Sequence, residues 1–258
     1  MSMRSMLLTS VAAAALTVSL AAFASHAERT VHGECQSVYD GDVCTWGTMA
    51  GDRIVDFGAT VPLATVENAP AEAPMVFPPQ FVGVVALPAE IAAATGFNHV
   101  GVNWEPHGHP PALFLTPHFD FHFYTIAPEQ VAQIDCVDVR KPTNVPATYT
   151  LPDEEIPGLG TLVGLCVPNM GMHAMLQTEI DDTVPFGASM ILGYYQQKFI
   201  FLEPMISQAK LREQKSFAME VPAVANPGAH VKWPTRFEAT YDEAAHAYRF
   251  RFSGFPEE

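Results

Sequence analysis

In the octapeptide PHFDFHFY, residues 117–124, polar and aromatic side chains alternate without a break. His118, Asp120 and His122 fall on every second position, with Phe119, Phe121 and Phe123 between them. Successive strand residues point to opposite faces of a sheet. A strand here presents an imidazole–carboxylate face on one side and three phenyl rings on the other. A helix would scatter the phenylalanines around its whole circumference, and Pro117 stands at its entrance. The segment is therefore read as a strand with an aromatic core face and a polar face able to bind a metal.

The same period of two recurs elsewhere. FEATYDEAAHAYRFRF reads as a C-terminal hairpin in which Phe237, Ala239 and Tyr241 answer Tyr248, Phe250 and Phe252, while Arg249 and Arg251 face solvent. MILGYYQQKFIFLEP reads as a second hairpin turning at Gln196-Gln197, and HVGVNW as a strand entering the histidine-rich stretch. The 22 prolines are spread along the chain and break up long helices. Short helices are expected in LPAEIAAATG, stopped by Gly96, in APEQVAQI, with proline in the first turn, and in EPMISQAKLREQ. TVENAPAEAPMVFPPQ and VPAVANPGAHVKWP read as loops. The expected fold is α+β and β-rich: a single domain of antiparallel strands over residues 28–258, barrel- or sandwich-like, with a few short helices.

Residues 1–27 read as a secretory signal peptide. Arg4 precedes an apolar run over about residues 7–24, and Ser25-His26-Ala27 supplies a small-x-small cleavage site. The run is nearly long enough to anchor in a bilayer, but its ending favours cleavage after Ala27, without stable membrane insertion afterwards. No cysteine ends the run, which disfavours a bacterial lipid anchor. The expected location is periplasmic or secreted. The formal charge of −15 becomes −16 once Arg4 is removed, and such acidity repels phosphate backbones, so nucleic acid is not an expected partner. Cys35, Cys44, Cys136 and Cys166 are an even set in an exported chain and imply two disulfides, with three pairings open. A hairpin in CQSVYDGDVC, turning near Asp40-Gly41, favours Cys35–Cys44 and leaves Cys136–Cys166. None of the spacings is C-x-x-C, which disfavours a zinc ribbon or a thioredoxin-type centre.

Nine of the ten histidines lie beyond residue 27, and four of them, His107, His109, His118 and His122, fall within residues 107–122. Imidazole and carboxylate are the usual transition-metal ligands where thiolates are lacking. Strand residues two apart are separated by roughly 6.6 Å and four apart by roughly 13 Å. An ion held at about 2.1 Å by imidazole is not readily shared by His118 and His122 unless the strand bends. The expected centre combines the His107–His109 loop with two of His118, Asp120 and His122, plus a ligand from another strand. His173, after a glycine in CVPNMGMHAM, is a further candidate, as is Glu203, expected on the strand face of Phe199 and Phe201 near a strand end. His32, His99, His230 and His246 read as structural or exposed, with His99 sharing a face with Gly101 and Asn103 beside the site.

Five separated stretches, NWEPHGHPP, PHFDFHFY, VPNMGMH, LGYYQQKFIFLEPMI and WPTRFEATYDEAAHAYRFRFSGF, together resemble an uncharacterised family of exported bacterial and archaeal proteins. That family is typified by a thermophile protein controlled by an extracytoplasmic sigma/anti-sigma pair. The resemblance covers roughly residues 85–255 and is most specific in PHFDFHFY and EPMI. It implies a mixed α/β fold, assembly into a large homo-oligomer and no assigned activity. It also places His109, His118, His122, His173 and Glu203 on the family's motif positions. Three positions depart from the pattern: Pro110 follows His109 where the family commonly has glutamate, Ala174 follows His173 where an aromatic is common, and Gln196-Gln197 stand where Asp-Gly often turns the hairpin.

The functional expectation is an exported metal-binding protein of unassigned activity, with a metal-dependent hydrolase or lyase acting on a small molecule placed slightly ahead of a pure binder. His107, His109, His118, His122 and His173 are the expected ligands, with Asp120 and Glu203 orienting a ligand or acting as general base. The expected cofactor is a divalent transition metal, zinc first, with iron or copper as alternatives. No Gly-x-Ser-x-Gly, His-Glu-x-x-His or glycine-rich phosphate loop is present, which leaves the better-known hydrolase classes without support. The alternatives are a non-catalytic metal or small-ligand binder and an oligomeric envelope protein with structural histidines.

Overall fold

Strands adjacent in sequence supply most of the pairing in the computed structural model, which describes residues 27–74, 76–180 and 186–256. The segment read as a signal peptide lies outside the described residues except for Ala27. The N-terminal meander comprises β1 (Glu28–Val38), β2 (Gly41–Ala50) and β3 (Arg53–Pro62). The middle of the chain supplies β4 (Gly83–Ala86), β5 (His99–Glu105), β6 (His118–Tyr124) and β7 (Tyr149–Thr150). A small separate hairpin follows, β8 (Glu154–Ile156) and β9 (Gly160–Leu162). The remaining strands are β10 (Met172–Leu176), β11 (Ala188–Tyr195), β12 (Lys198–Ser207), β13 (Phe217–Glu220), β14 (Arg236–Asp242) and β15 (Ala247–Ser253).

These strands form a six-stranded sheet ordered β1-β2-β3-β15-β14-β13 and a seven-stranded sheet ordered β4-β5-β6-β12-β11-β10-β7. The pairs are antiparallel, and the two open sheets pack face to face as a sandwich-like, β-rich α+β domain. Phe119, Phe121 and Phe123 of β6 supply the inter-sheet core, where Phe121 meets Phe250 at 4.8 Å and Phe123 meets Phe252 at 5.0 Å between ring centroids. Burying each such ring stabilises the fold by roughly 2–3 kcal/mol. The C-terminal hairpin has the expected register, Phe237 opposite Phe252, Ala239 opposite Phe250 and Tyr241 opposite Tyr248. Arg249 is exposed, and Arg251 is half-exposed and bound to Asp56 and Glu238.

The outer face of the seven-stranded sheet is covered as well. A second apolar cluster, including Leu113, Phe114, Val131, Ile134, Leu165 and Phe186, lies over it. Every residue of β6 is consequently buried, on its polar face as on its aromatic one. This buried polar layer between a sheet and its lid positions the candidate site.

Helices are short. α2 (Ala89–Thr95) stops at Gly96, whose φ of 79° is left-handed and where a Cβ would stand 2.6 Å from the His230 carbonyl. α3 (Pro128–Val131) forms in APEQVAQI, and α1 (Leu63–Glu67) and α4 (Gln177–Ile180) are equally brief. In EPMISQAKLREQ only Gln208–Arg212 is helical, as α5; Glu203 to Ser207 stay in β12, and the Ser207 hydroxyl accepts the Lys210 N–H at 3.1 Å to cap the helix. Both expected disulfides are present. Cys35–Cys44 bridges directly opposed positions of β1 and β2, with three residue pairs between it and the turn at Tyr39-Asp40, and Cys136–Cys166 joins two lid segments. Two disulfides fit an oxidising, extracytoplasmic compartment. No helix among the described residues is long and apolar enough to cross a membrane.

Candidate metal centre

Alternation along β6 sets His118, Asp120 and His122 on the lid side, opposite the inter-sheet phenylalanines. Among the described residues two groups of three side chains have donor atoms within 4.8 Å of one another: His109, His118 and Asp120, and His122, His173 and Glu203. The separation along the strand thus divides the two β6 histidines between different groups, and each group recruits partners from elsewhere in the chain.

In the first group the His118 Nε2 lies 3.3 Å from Asp120 Oδ1, and the His109 Nε2 lies 4.0 Å from Asp120 Oδ2. His109 comes from the loop after β5. Gly108 makes that loop fold back: its φ is 67°, and a Cβ there would lie 2.0 Å from the Phe114 carbonyl. The two imidazoles meet edge to face with centroids 4.8 Å apart. In the second group the His122 Nε2 lies 3.5 Å from Glu203 Oε1, and the His173 Nε2 lies 3.9 Å from Glu203 Oε2. Strand order brings these three together, since β12 lies between β6 and β11, and β10 follows β11. Glu203 is in the middle of β12 rather than near its end. A bulge also separates it from one of its expected companions: the register slips where Gly193 faces Phe201 and Tyr194 faces Phe199, so Phe199 joins the inter-sheet core while Ile200 and Phe201 join the lid side.

Hydrogen bonding orients three of the four imidazoles. Nδ1 of His109 lies 2.8 Å from the Pro110 carbonyl, Nδ1 of His118 lies 2.7 Å from that of Thr116, and Nδ1 of His173 lies 2.9 Å from that of Leu165. A carbonyl only accepts, so each Nδ1 carries the proton and each neutral ring turns an Nε2 lone pair toward the carboxylates. Burial is close to complete for His118 and His122 (0% and 1% exposed) and for Glu203 (1%). Yet His118 Nε2, Asp120 Oδ1, both nitrogens of His122 and Glu203 Oε2 have no hydrogen-bond partner. Acceptor atoms that face each other in a dry site are costly unless a proton or a cation lies between them.

The electrostatics agree. Burial holds the Asp120 carboxyl well above its usual range, with the nearby charges of Glu203 and then Glu105 adding to it, and burial does the same for Glu203. Burial pushes His118 and His122 well below the ordinary imidazole value, and pushes His173 down to about 4. The centre therefore favours uncharged side chains until a cation compensates it. Tetrahedral zinc with bonds of about 2.0–2.1 Å separates its donors by about 3.4 Å, close to the 3.3 and 3.5 Å contacts; the 4.0 and 3.9 Å contacts need a closure of about half an ångström. All four cysteines are in disulfides, so histidine and carboxylate are the donor set.

The His122 side of the centre is shaped by a glycine. Gly101, opposite His122 in β5, makes room for Phe81, whose ring meets His122 at 5.5 Å; a Cβ on Gly101 would be 2.6 Å from that ring. His107 is not drawn in: it is exposed and faces Glu72 at 3.2 Å. His99 does share the site's sheet face with Gly101 and Asn103, buried and stacked on Tyr124. Asn103, read from the sequence only as a neighbour of His99, and Glu105 were not among the expected site residues. Asn103 lies opposite Asp120, gives its Nδ2 to the Gln80 carbonyl at 2.9 Å and leaves Oδ1 unpaired. Glu105 lies opposite His118, pushed up to about 7 by burial, and lines a cavity of about 170 Å³ with Tyr39, Trp104 and His107. Extending the period of two in HVGVNWE by one residue places Glu105 on the same face, which is the signal that could have found it.

No protein-family model matches this chain, and no curated protein or solved structure matches it either.

Proposed function

We propose that this chain is an exported metal-binding protein whose buried histidine–carboxylate centre carries out metal-assisted hydrolysis or elimination on a small molecule. The observation that carries the reading is the set of unpaired Nε2 and carboxylate atoms facing one another inside the lid. A cation held there by three protein ligands would leave a position for water and would lower its pKa toward 7. His109, His118 and Asp120, with His122, His173 and Glu203, bind; the Pro110, Thr116 and Leu165 carbonyls orient. Zinc is the best match to a donor set of neutral imidazoles and carboxylates, and redox-silent chemistry follows from it. The motif resemblance supports the same residues, because it joins His173 and Glu203 to the β6 histidines. The second reading, binding without turnover, is favoured by how little of the centre reaches solvent: His109 is its most open side chain, at 35% exposed.

Elemental analysis of untagged protein prepared from an oxidising exported compartment, before and after chelation, tests the metal. Binding is expected at one or more equivalents, and well-folded protein that takes up none would reject both readings. Release of product from small ester and phosphoester substrates by the loaded protein, abolished by chelation, separates turnover from binding alone.

A further inference from the structure

The two groups adjoin on a single sheet. Asp120 of the first and His122 of the second are two apart on one face of β6, roughly 6.6 Å along the strand. On the neighbouring strand Met205 lies opposite Asp120, and Glu203 is two residues further along. Four imidazoles and two carboxylates thus lie on one side of the sheet under one lid, with His118, Asp120, His122 and Glu203 buried and His109 and His173 partly exposed. Their formal charges do not balance a full complement of ions. Two divalent cations bring +4; ionised Asp120 and Glu203 supply −2, and the imidazoles supply none. Glu105, opposite His118, would leave the balance at +1 even when ionised. The covering residues Phe81, Phe114, Phe186 and Phe201 contribute no charge. An uncompensated positive charge in such an environment is expensive, and three protein ligands per ion leave coordination positions for an oxygen donor.

Building on the metal-binding reading above, we propose that the two groups hold two divalent cations in one centre, and that the centre takes an exogenous oxyanion, a phosphate or carboxylate group, as its closing ligand. The side on which an anion arrives is that of His109, the most solvent-exposed ligand, next to the cavity at Glu105. This makes an oxyanion-bearing small molecule the substrate class.

The experiment strips the exported chain with chelator, reloads it with Co(II), counts ions per chain by native mass spectrometry and then adds inorganic phosphate or acetate. Two ions per chain are expected, with His118→Ala and His173→Ala each retaining one. A visible-spectrum shift with millimolar phosphate or acetate is expected in the wild type and lost in both variants. The wild-type count stands whether or not a variant folds. A single ion at saturation overturns the paired centre while leaving metal binding intact, whereas none overturns metal binding itself. Two ions whose spectrum responds to neither anion overturn the oxyanion assignment.

Discussion

Glu203 shows how a buried acid separates a structural role from a metal-binding one. Burial raises its carboxyl well above the usual range and so favours the neutral form in the absence of a cation, which an isosteric amide resembles. Glu203→Gln is expected to change the stability of metal-free protein by less than about 1 kcal/mol while weakening the ion held with His122 and His173 at least tenfold. Urea unfolding in chelator and metal titration read the two effects, and equal losses in both would contradict the role. His99 makes a different prediction at the same scale. Burial lowers it from 6.5 to about 4, against small opposing effects of Glu129 and the Ile126 backbone. The unfolded chain then binds the extra proton first as pH falls, so the contribution of a neutral buried His99 is intact above pH 6.5 and is lost as pH drops toward 4. The loss is on the order of 3 kcal/mol. In chelator, the difference in Tm between wild type and His99→Gln should shrink across that window; a constant difference would show that His99 does not titrate there.

Between the elements, the disulfide Cys136–Cys166 ties the segment after α3 to the turn preceding β10. Leu165, whose carbonyl holds the His173 ring, is the immediate neighbour of Cys166. The Asn169 N–H also donates to the Ile134 carbonyl at 2.8 Å, linking the same two segments. Replacing both cysteines by serine is expected to lower stability by about 3–4 kcal/mol through the freed loop. It should also weaken the His173 group about tenfold to a hundredfold through loss of ring orientation, leaving the His118 group closer to its wild-type affinity. Equilibrium unfolding and ion counting on the same samples check both parts. Element identities were legible where the local pattern was strong. HVGVNW, PHFDFHFY and the two aromatic hairpins carry period-two alternation, and the left-handed Gln196 and Gln197 turn the second hairpin where expected. EPMISQAKLREQ misled because its first half is also a good core strand. Pairing of Met205 with Asp120 and of Ile206 with Phe119 extends β12 to Ser207 before the helix begins.

At the scale of the molecule, the centre joins β6, β10, β12 and the loop after β5, so an ion there links segments distant in sequence. Ions at about a hundred times their Kd should stabilise the fold by about 2.7 kcal/mol. Chelation of the loaded protein is then expected to lower Tm by about 5–10 °C, and an unchanged Tm would mean that the bound form contributes nothing to folding. The ligand types, the polar and aromatic faces of β6, the β-rich class and the paired cysteines of the CQSVYDGDVC hairpin follow from residue order alone, because each depends on neighbours within one strand or turn. The division of His118 and His122 between two groups, the exclusion of His107 and the meeting of His173 with Glu203 were decided by the tertiary structure. Strand order and the bulge beside Gly193 determine which side chains face one another across the sheet, and those long-range pairings leave no trace in the spacing of any single segment.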